Sequence, residues 1–261
     1  MPDKIVIRNL TKHFPIGKGK PDKRVLEDVS FSVVESSFTT IVGPSGCGKS
    51  TLLNILAGTE PLTFGDISIA HEGAGEARVG YVFQAPRLLP WMTVMDNMLF
   101  VKPADADKVK YRATAEHYLE VVGLQTEHKT YPLALSGGMQ QRAGIARALA
   151  IDPDVLLMDE PFSHLDEITA ENLRSELWRI WSETQKTILF VTHDLNEGIL
   201  LADRIVVFGR NGKMLDDWTN ELPRPREFTN PAVTKVMADF TTHFFDLQAK
   251  ADREMAEEAA A

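Results

Sequence analysis

Gly43-Pro44-Ser45-Gly46-Cys47-Gly48-Lys49-Ser50 has the spacing G-x-x-x-x-G-K-[ST]. Glycines so placed let the backbone wrap phosphate groups with its own N–H donors, and a helix opening directly behind them adds positive potential. In that chemistry Lys49 reaches the β- and γ-phosphates of a nucleotide, and the Ser50 hydroxyl ligands Mg²⁺. Cys47 occupies a variable position of the loop and reads as a small residue that fits. A second group lies far along the chain, where the apolar run Val155-Leu156-Leu157-Met158 ends in Asp159-Glu160. A carboxylate at the end of a buried strand can hold a Mg²⁺ shell, and the next residue can orient or deprotonate an attacking water. Adjacent acids after a strand are common at loop starts, so the pair gains its meaning from the phosphate loop. A third segment, Leu135-Ser136-Gly137-Gly138-Met139-Gln140-Gln141-Arg142, opens a helix that continues through Ile145, Arg147 and Leu149. It reads either as a second anion site or as a glycine hinge before a helix. One nucleotide has no need of two such sites on one chain.

These residues need strands and helices to hold them. Ile5-Val6-Ile7 begins a strand, and Val29-Ser30-Phe31-Ser32-Val33 alternates with period two. Thr39-Thr40-Ile41-Val42, the run before Asp159, Ile188-Leu189-Phe190-Val191 and Ile205-Val206-Val207-Phe208 read as fully buried strands. Such runs suit a parallel sheet covered by helices, so the class is α/β. Helices are expected over residues 50–57, closed by Gly58, and over residues 111–122, stopped by Gly123. Thr93-x-x-Asp96 resembles a capping box opening a helix near Val94. Residues 86–134 lack buried-strand runs and read as a mainly helical insertion. Residues 17–23 form a basic, turn-rich stretch that reads as a solvated loop. Pro223-Arg224-Pro225-Arg226 is a linker signal, after which Val233, Val236, Met237, Phe240, Phe244 and Leu247 make an apolar stripe at helical spacing. That helix is expected to pack back on its own domain, and the charged, Ala-rich tail at 252–261 to fray.

With 261 residues, 44% hydrophobic and 25% charged, the chain has the mixture of a globular protein with a substantial core. Lys and Arg number 28 against 37 Asp and Glu, and the net charge of −9 argues against nucleic acid as a partner. No apolar run exceeds four residues, where a membrane span needs about 20. The N-terminus has no signal-peptide core, and the single Cys47 excludes an internal disulfide framework, so a cytosolic setting is expected.

The signature-like Leu135-Ser136-Gly137-Gly138 with Gln140-Gln141-Arg142 resembles that of the ATP-binding-cassette (ABC) ATPases, and the remaining motifs follow in the family's order. Gln84, after Val79-Gly80-Tyr81-Val82-Phe83, resembles the Q-loop glutamine. Ser163-His164-Leu165-Asp166 resembles the D-loop, His193 the switch histidine, and Phe14 the aromatic that stacks on adenine. The resemblance covers about residues 4–215. It implies a P-loop NTPase fold, with a RecA-like core and an antiparallel β-subdomain at 1–85 and 135–222. A helical subdomain would occupy 86–134, and a linker and helix 223–261. ATP and Mg²⁺ are the implied cofactors. Gly43, Pro44, Ser45, Gly46, Cys47, Gly48, Lys49, Ser50 and Thr51 would bind the nucleotide, and Ser50, Gln84 and Asp159 the metal. Two copies would pair head to tail, so that Ser136, Gly137 and Gly138 complete the opposite subunit's γ-phosphate site, and Asp166 would also bind the nucleotide. Glu160 would act on water, and His193 would contact the γ-phosphate.

A narrower resemblance rests on Phe83-Gln84-Ala85-Pro86-Arg87-Leu88-Leu89-Pro90-Trp91-Met92-Thr93-Val94-Met95-Asp96-Asn97, which is similar to importers of nitrate, aliphatic sulfonates and taurine. It implies the ATPase subunit of an importer, a homodimer or paired with a paralogous subunit. Such a subunit sits peripherally on the cytoplasmic face of the inner membrane, beneath transmembrane permease subunits served by a solute-binding protein. Leu88, Leu89, Trp91 and Met92 would either meet the permease or fill the helical subdomain's core. Three positions depart from the usual pattern: His164 stands where alanine is common, Ala85 where an acid is frequent, and Ser36-Ser37 where a glycine precedes the strand. A soluble ABC ATPase that scaffolds assembly, as in iron–sulfur cluster building, is the second reading, disfavoured by the Leu-Leu-Pro-Trp segment. Chromosome and DNA-repair ATPases would need coiled coils or zinc modules, and export fits the narrower motif less well.

Overall fold

The computed structural model describes residues 1–17, 22–71, 73 and 75–260, so most of the expected basic loop lies outside the described residues. In chain order the first elements are β1 (Asp3–Phe14), β2 (Lys23–Val34), β3 (Phe38–Val42), α1 (Lys49–Leu56), β4 (Phe64–Ile69) and β5 (Val79–Val82). There follow α2 (Val94–Phe100), α3 (Lys108–Val121), a single 3₁₀ turn at Pro132–Ala134, α4 (Gly137–Ala150), β6 (Val155–Asp159) and α5 (Glu167–Thr184). The chain ends with β7 (Thr187–Thr192), α6 (Leu195–Leu201), β8 (Arg204–Phe208), β9 (Met214–Thr219) and α7 (Pro231–Ala260). It divides into two compact units, Met1–Ala70 with Thr187–Ala261, and His71–Lys186. No described helix is long and apolar enough to cross a membrane.

In the first unit β3 lies between β7 and β8, parallel to both, and β9 runs antiparallel to β8. Every residue of β3 and β7 is buried, which is why those strands read as continuous apolar runs rather than alternating ones. A separate antiparallel sheet has the order β2-β1-β4. Strand β4 was not foreseen, because its burial alternates between exposed and half-buried along Phe64-Gly65-Asp66-Ile67-Ser68-Ile69 and leaves no apolar run. Gly58, at φ 70, closes α1 by donating to Ile55 O at 3.0 Å, as the sequence requires.

The C-terminal stripe is buried at Val233, Met237, Phe240 and Phe244, with Gln248 and Ala251 continuing it. Phe240 meets Trp218 of β9 at 5.0 Å between ring centroids, so α7 packs on its own unit. The helix continues to Ala260, through most of the tail expected to fray. The expected linker is pinned rather than loose. Arg226, 9% exposed, donates to Ile199 O at 3.0 Å and Ala202 O at 2.6 Å, covering carbonyls at the C-terminal end of α6. Asn220 Nδ2 donates to the same two carbonyls. Burial, with Arg224 adding repulsion, pushes the Arg226 guanidinium down to about 10.

In the second unit β5 and β6 run parallel, Tyr81 opposite Leu157. Helix α4 packs against β5 and against α2, α3 and α5. Thr93 caps α2, accepting from Asp96 N at 3.1 Å while its hydroxyl donates to Asp96 Oδ2 at 2.7 Å, so the helix opens at Val94 as expected, with Asp96 bonded to the cap's hydroxyl. Helix α3 starts earlier than expected, at Lys108, because Asp107 caps it by accepting from Val109 N and Lys110 N. Residues 86–134, all described, hold helices and turns and no strand.

Candidate functional site

The first unit carries the phosphate loop between β3 and α1. Gly48 has φ 101, and a Cβ on it would lie 2.7 Å from Leu26 Cδ2 and 2.8 Å from Val25 O. Gly43 is equally confined, its would-be Cβ 2.7 Å from Phe208 O. These two glycines are therefore required by conformation and space. Helix α1 begins at Lys49 behind the N-cap Gly48, which offers no side-chain cap, and the N–H groups of such a helix start are donors that an anion can use. Lys49, 4% exposed, reaches back across the loop to Gly43 O at 2.7 Å and Pro44 O at 3.1 Å. Ser45, Gly46 and Ser50 are exposed on the loop, and Thr51 is half-buried on the first turn. Cys47 is 2% exposed and packs as the small filler its position suggested. An uncapped helix start, confined glycines and an inward lysine fit the phosphates of a nucleotide.

His193 follows β7 and is exposed. Its loop is held by side chains that sequence reasoning passed over. Thr192 Oγ1 donates to the buried Glu197 at 2.5 Å and accepts from Asp194 N at 3.0 Å, while Asp194 caps α6. His193 lines an open pocket of about 450 Å³ with Gly43, Pro44, Arg210, Phe244 and Gln248. The last two belong to α7, so the C-terminal helix borders the phosphate-loop side of this unit. Phe14, half-buried at the end of β1, has the Lys12 ammonium 4.5 Å from its ring centroid.

The second unit carries the acidic pair and the signature. Asp159 ends β6 and accepts from Tyr81 Oη at 3.3 Å. Burial and then the nearby carboxylate push the Tyr81 hydroxyl above its ordinary range. Glu160 has φ 42, a left-handed conformation that costs a non-glycine residue strain of a kind that collects at functional sites. Gln84 Nε2 donates to Ser163 Oγ at 3.0 Å, and that hydroxyl donates to Glu160 O at 2.9 Å. The Q-loop-like glutamine is thus tied to the backbone of the acidic residue through one serine. Ser163 lay within the D-loop match, but its type and position alone carried no signal for this link.

Ser136 caps α4, accepting from Met139 N at 3.3 Å, and Gly137 is exposed beside it. Gly138 has no room for a side chain, since a Cβ would lie 2.6 Å from Thr169 Cγ2. Asp166 caps α5, and its bond from Thr169 holds its carboxyl below the usual range. His164 and Ala85 are both exposed. After Gln84, the side chain of Asn97, 2% exposed, fastens the turn that follows. It accepts from Leu89 N at 2.7 Å and donates to Leu89 O, Met92 O and Thr93 O. Within that turn Leu88, Leu89 and Met92 are half-buried, while Trp91 is 70% exposed. Phe100, 64% exposed, was not anticipated; it lines a 330 Å³ groove with Leu89, Phe83 and Arg147.

The family model described as ABC transporter matches residues 26–163. The chain belongs to the ABC transporter family. The aliphatic sulfonates import ATP-binding protein SsuB of Bacillus cereus is 40% identical to this ABC protein over 237 residues, which is 89% of this chain and 92% of that protein. The taurine import ATP-binding protein TauB of Jannaschia sp. is 43% identical over 206 residues, 78% of this chain and 76% of that one. Among solved structures, a dimeric ATP-binding cassette in a post-hydrolysis state bound to ADP and Pi matches with a TM-score of 0.71 at 30% identity, covering 84% of this chain and all of that one. The fold is that of the ABC ATPase cassettes, and the protein is an ATPase that uses ATP with Mg²⁺.

Proposed function

We propose that this ABC ATPase powers import of a small anionic or zwitterionic solute of the nitrate, sulfonate and taurine class. The observation that carries the reading is the likeness, over most of the chain, to ATP-binding proteins named for sulfonate and taurine import. The Asn97-fastened turn with its exposed Trp91 supports it, as a surface for a permease helix. Residues 1–85 and 135–222 form the nucleotide-binding core, 86–134 the helical subdomain, and 223–261 the linker and C-terminal helix. Two copies, or this chain and a paralogue, pair on the cytoplasmic face of the membrane beneath permease subunits that a solute-binding protein supplies. The assembly-scaffold alternative has no comparable support.

In this reading the backbone N–H groups of the loop from Gly43 to Thr51 and the Lys49 amine bind the phosphates, and Phe14 stacks on the base. Ser50, Asp159 and Gln84 are the residues that would hold Mg²⁺, which when bound would neutralise charge on the phosphate oxygens. Glu160 accepts a proton from the attacking water, and its strained backbone, tied to Gln84 through Ser163, makes its position depend on the glutamine. His193 stabilises charge at the γ-phosphate. Ser136, Gly137 and Gly138 complete the partner's site, with Asp166 also at the nucleotide, so hydrolysis requires pairing. The test is uptake in the native host carrying Glu160→Gln, with labelled nitrate, taurine and an alkanesulfonate. Uptake of one of these is expected to fall to background, and normal uptake of all of them contradicts the assigned solute class.

A further inference from the structure

Strand β1 places Lys12 and Phe14 two residues apart, hence on one face of the sheet. Lys12 is 5% exposed, although its side chain ends in a charge. Burial of an ammonium is costly unless partners compensate, and here they do. Its Nζ donates to Glu60 Oε1 and to Pro61 O, each at 2.6 Å, and stands 4.5 Å from the centroid of the Phe14 ring. Glu60 and Pro61 belong to the turn that leaves α1, the helix springing from the phosphate loop. That turn is itself fixed, because Thr59 N and Glu60 N both donate to Asn54 O. One buried cation therefore joins the aromatic at the end of β1 to the helix that carries Lys49 and Ser50.

We infer that Lys12 is a positioning residue for nucleotide binding: anchored by Glu60 and Pro61, it orients the Phe14 ring for the adenine and fixes that ring relative to the phosphate loop. The inference rests on the reading of Phe14 as the base-stacking residue. A cation on a ring is attracted to its negative face and restricts how the ring turns. It also draws electron density toward itself, which favours stacking of an electron-rich purine on the ring's opposite face. Glu60 keeps the pair neutral, so the effect falls on the ring rather than on the phosphates.

The experiment separates the base from the phosphates. Binding of ATP and of inorganic triphosphate, each with Mg²⁺, is measured for the full-length wild type, Lys12→Met, Lys12→Arg and Phe14→Ala, alongside KM and kcat for ATP. Lys12→Met is expected to weaken ATP binding by about five- to twentyfold, through KM rather than kcat, and to leave triphosphate binding within about twofold. Lys12→Arg, which keeps the charge, restores most of the loss. Equal weakening of ATP and triphosphate by Lys12→Met means a general disturbance of the loop and overturns the inference. So does unchanged ATP binding in Lys12→Met when Phe14→Ala is impaired. Unchanged ATP binding in Phe14→Ala removes the base-stacking reading itself, and with it the inference. If Lys12→Met does not fold, the comparison is made with Glu60→Gln, which loosens the anchor and is expected to shift ATP binding in the same direction.

Discussion

In the proposed mechanism Glu160 is the residue on which the chemistry turns, and its surroundings are specific. It sits one position past the buried strand β6, in a left-handed conformation, with its carbonyl bonded by Ser163, which Gln84 holds in turn. A glutamine in its place keeps the shape and the hydrogen-bonding capacity but cannot take a proton. Glu160→Gln is expected to bind ATP with wild-type affinity while turnover falls by about 10²-fold or more, measured by nucleotide binding and phosphate release. Near-normal turnover would remove Glu160 from the base role. At this scale the sequence was most legible where function demands a fixed spacing: the phosphate loop, the acid pair and the signature each stand in a short run. It was least legible where a side chain meets one distant in the chain. Tyr81 on Asp159 and the Gln84–Ser163 bond depend on tertiary placement, which no local pattern encodes.

Among the elements, those with buried surfaces on both faces announced themselves. Strands β3, β6, β7 and β8 were readable because burial leaves mainly apolar residues and threonines along them, with the charged Asp159 and Arg204 confined to half-buried ends. Strands β4 and β9 escaped because both are half-exposed and mix polar with apolar residues. The start of α3 was misplaced since Asp107, a strong cap, precedes a first turn of Lys108, Val109 and Lys110 with no apolar stripe. Ser36 is a departure from the family pattern with a visible cost, since it adopts φ 58 where a glycine would be unstrained. The Pro-Arg segment read as a linker is an anchor. Arg226 closes the C-terminal end of α6 with charge-assisted bonds to carbonyls that Asn220 shares. Arg226→Ala leaves those carbonyls short of donors and is expected to cost about 2–3 kcal/mol in denaturant unfolding, with m unchanged. A change within experimental error would show that the Asn220 bonds suffice for those carbonyls.

For the whole molecule, the two compact units divide the chemistry. Met1–Ala70 with Thr187–Ala261 carries the phosphate loop, Phe14 and His193, and His71–Lys186 carries Gln84, Asp159, Glu160 and the signature. Neither unit holds a complete set, and the signature glycines belong in the account to an opposite subunit. The acidic net charge of −9 and the exposed Trp91 and Phe100 agree with a protein whose large partner is another protein rather than nucleic acid. Whether the protein serves an importer is tested by recovering the tagged protein from gently solubilised native membranes, identifying what accompanies it and assaying ATPase activity. A polytopic permease is expected in stoichiometric amount, with ATPase activity that rises when the cognate solute-binding protein is added. Recovery with soluble assembly proteins alone, and no membrane subunit, would contradict the importer.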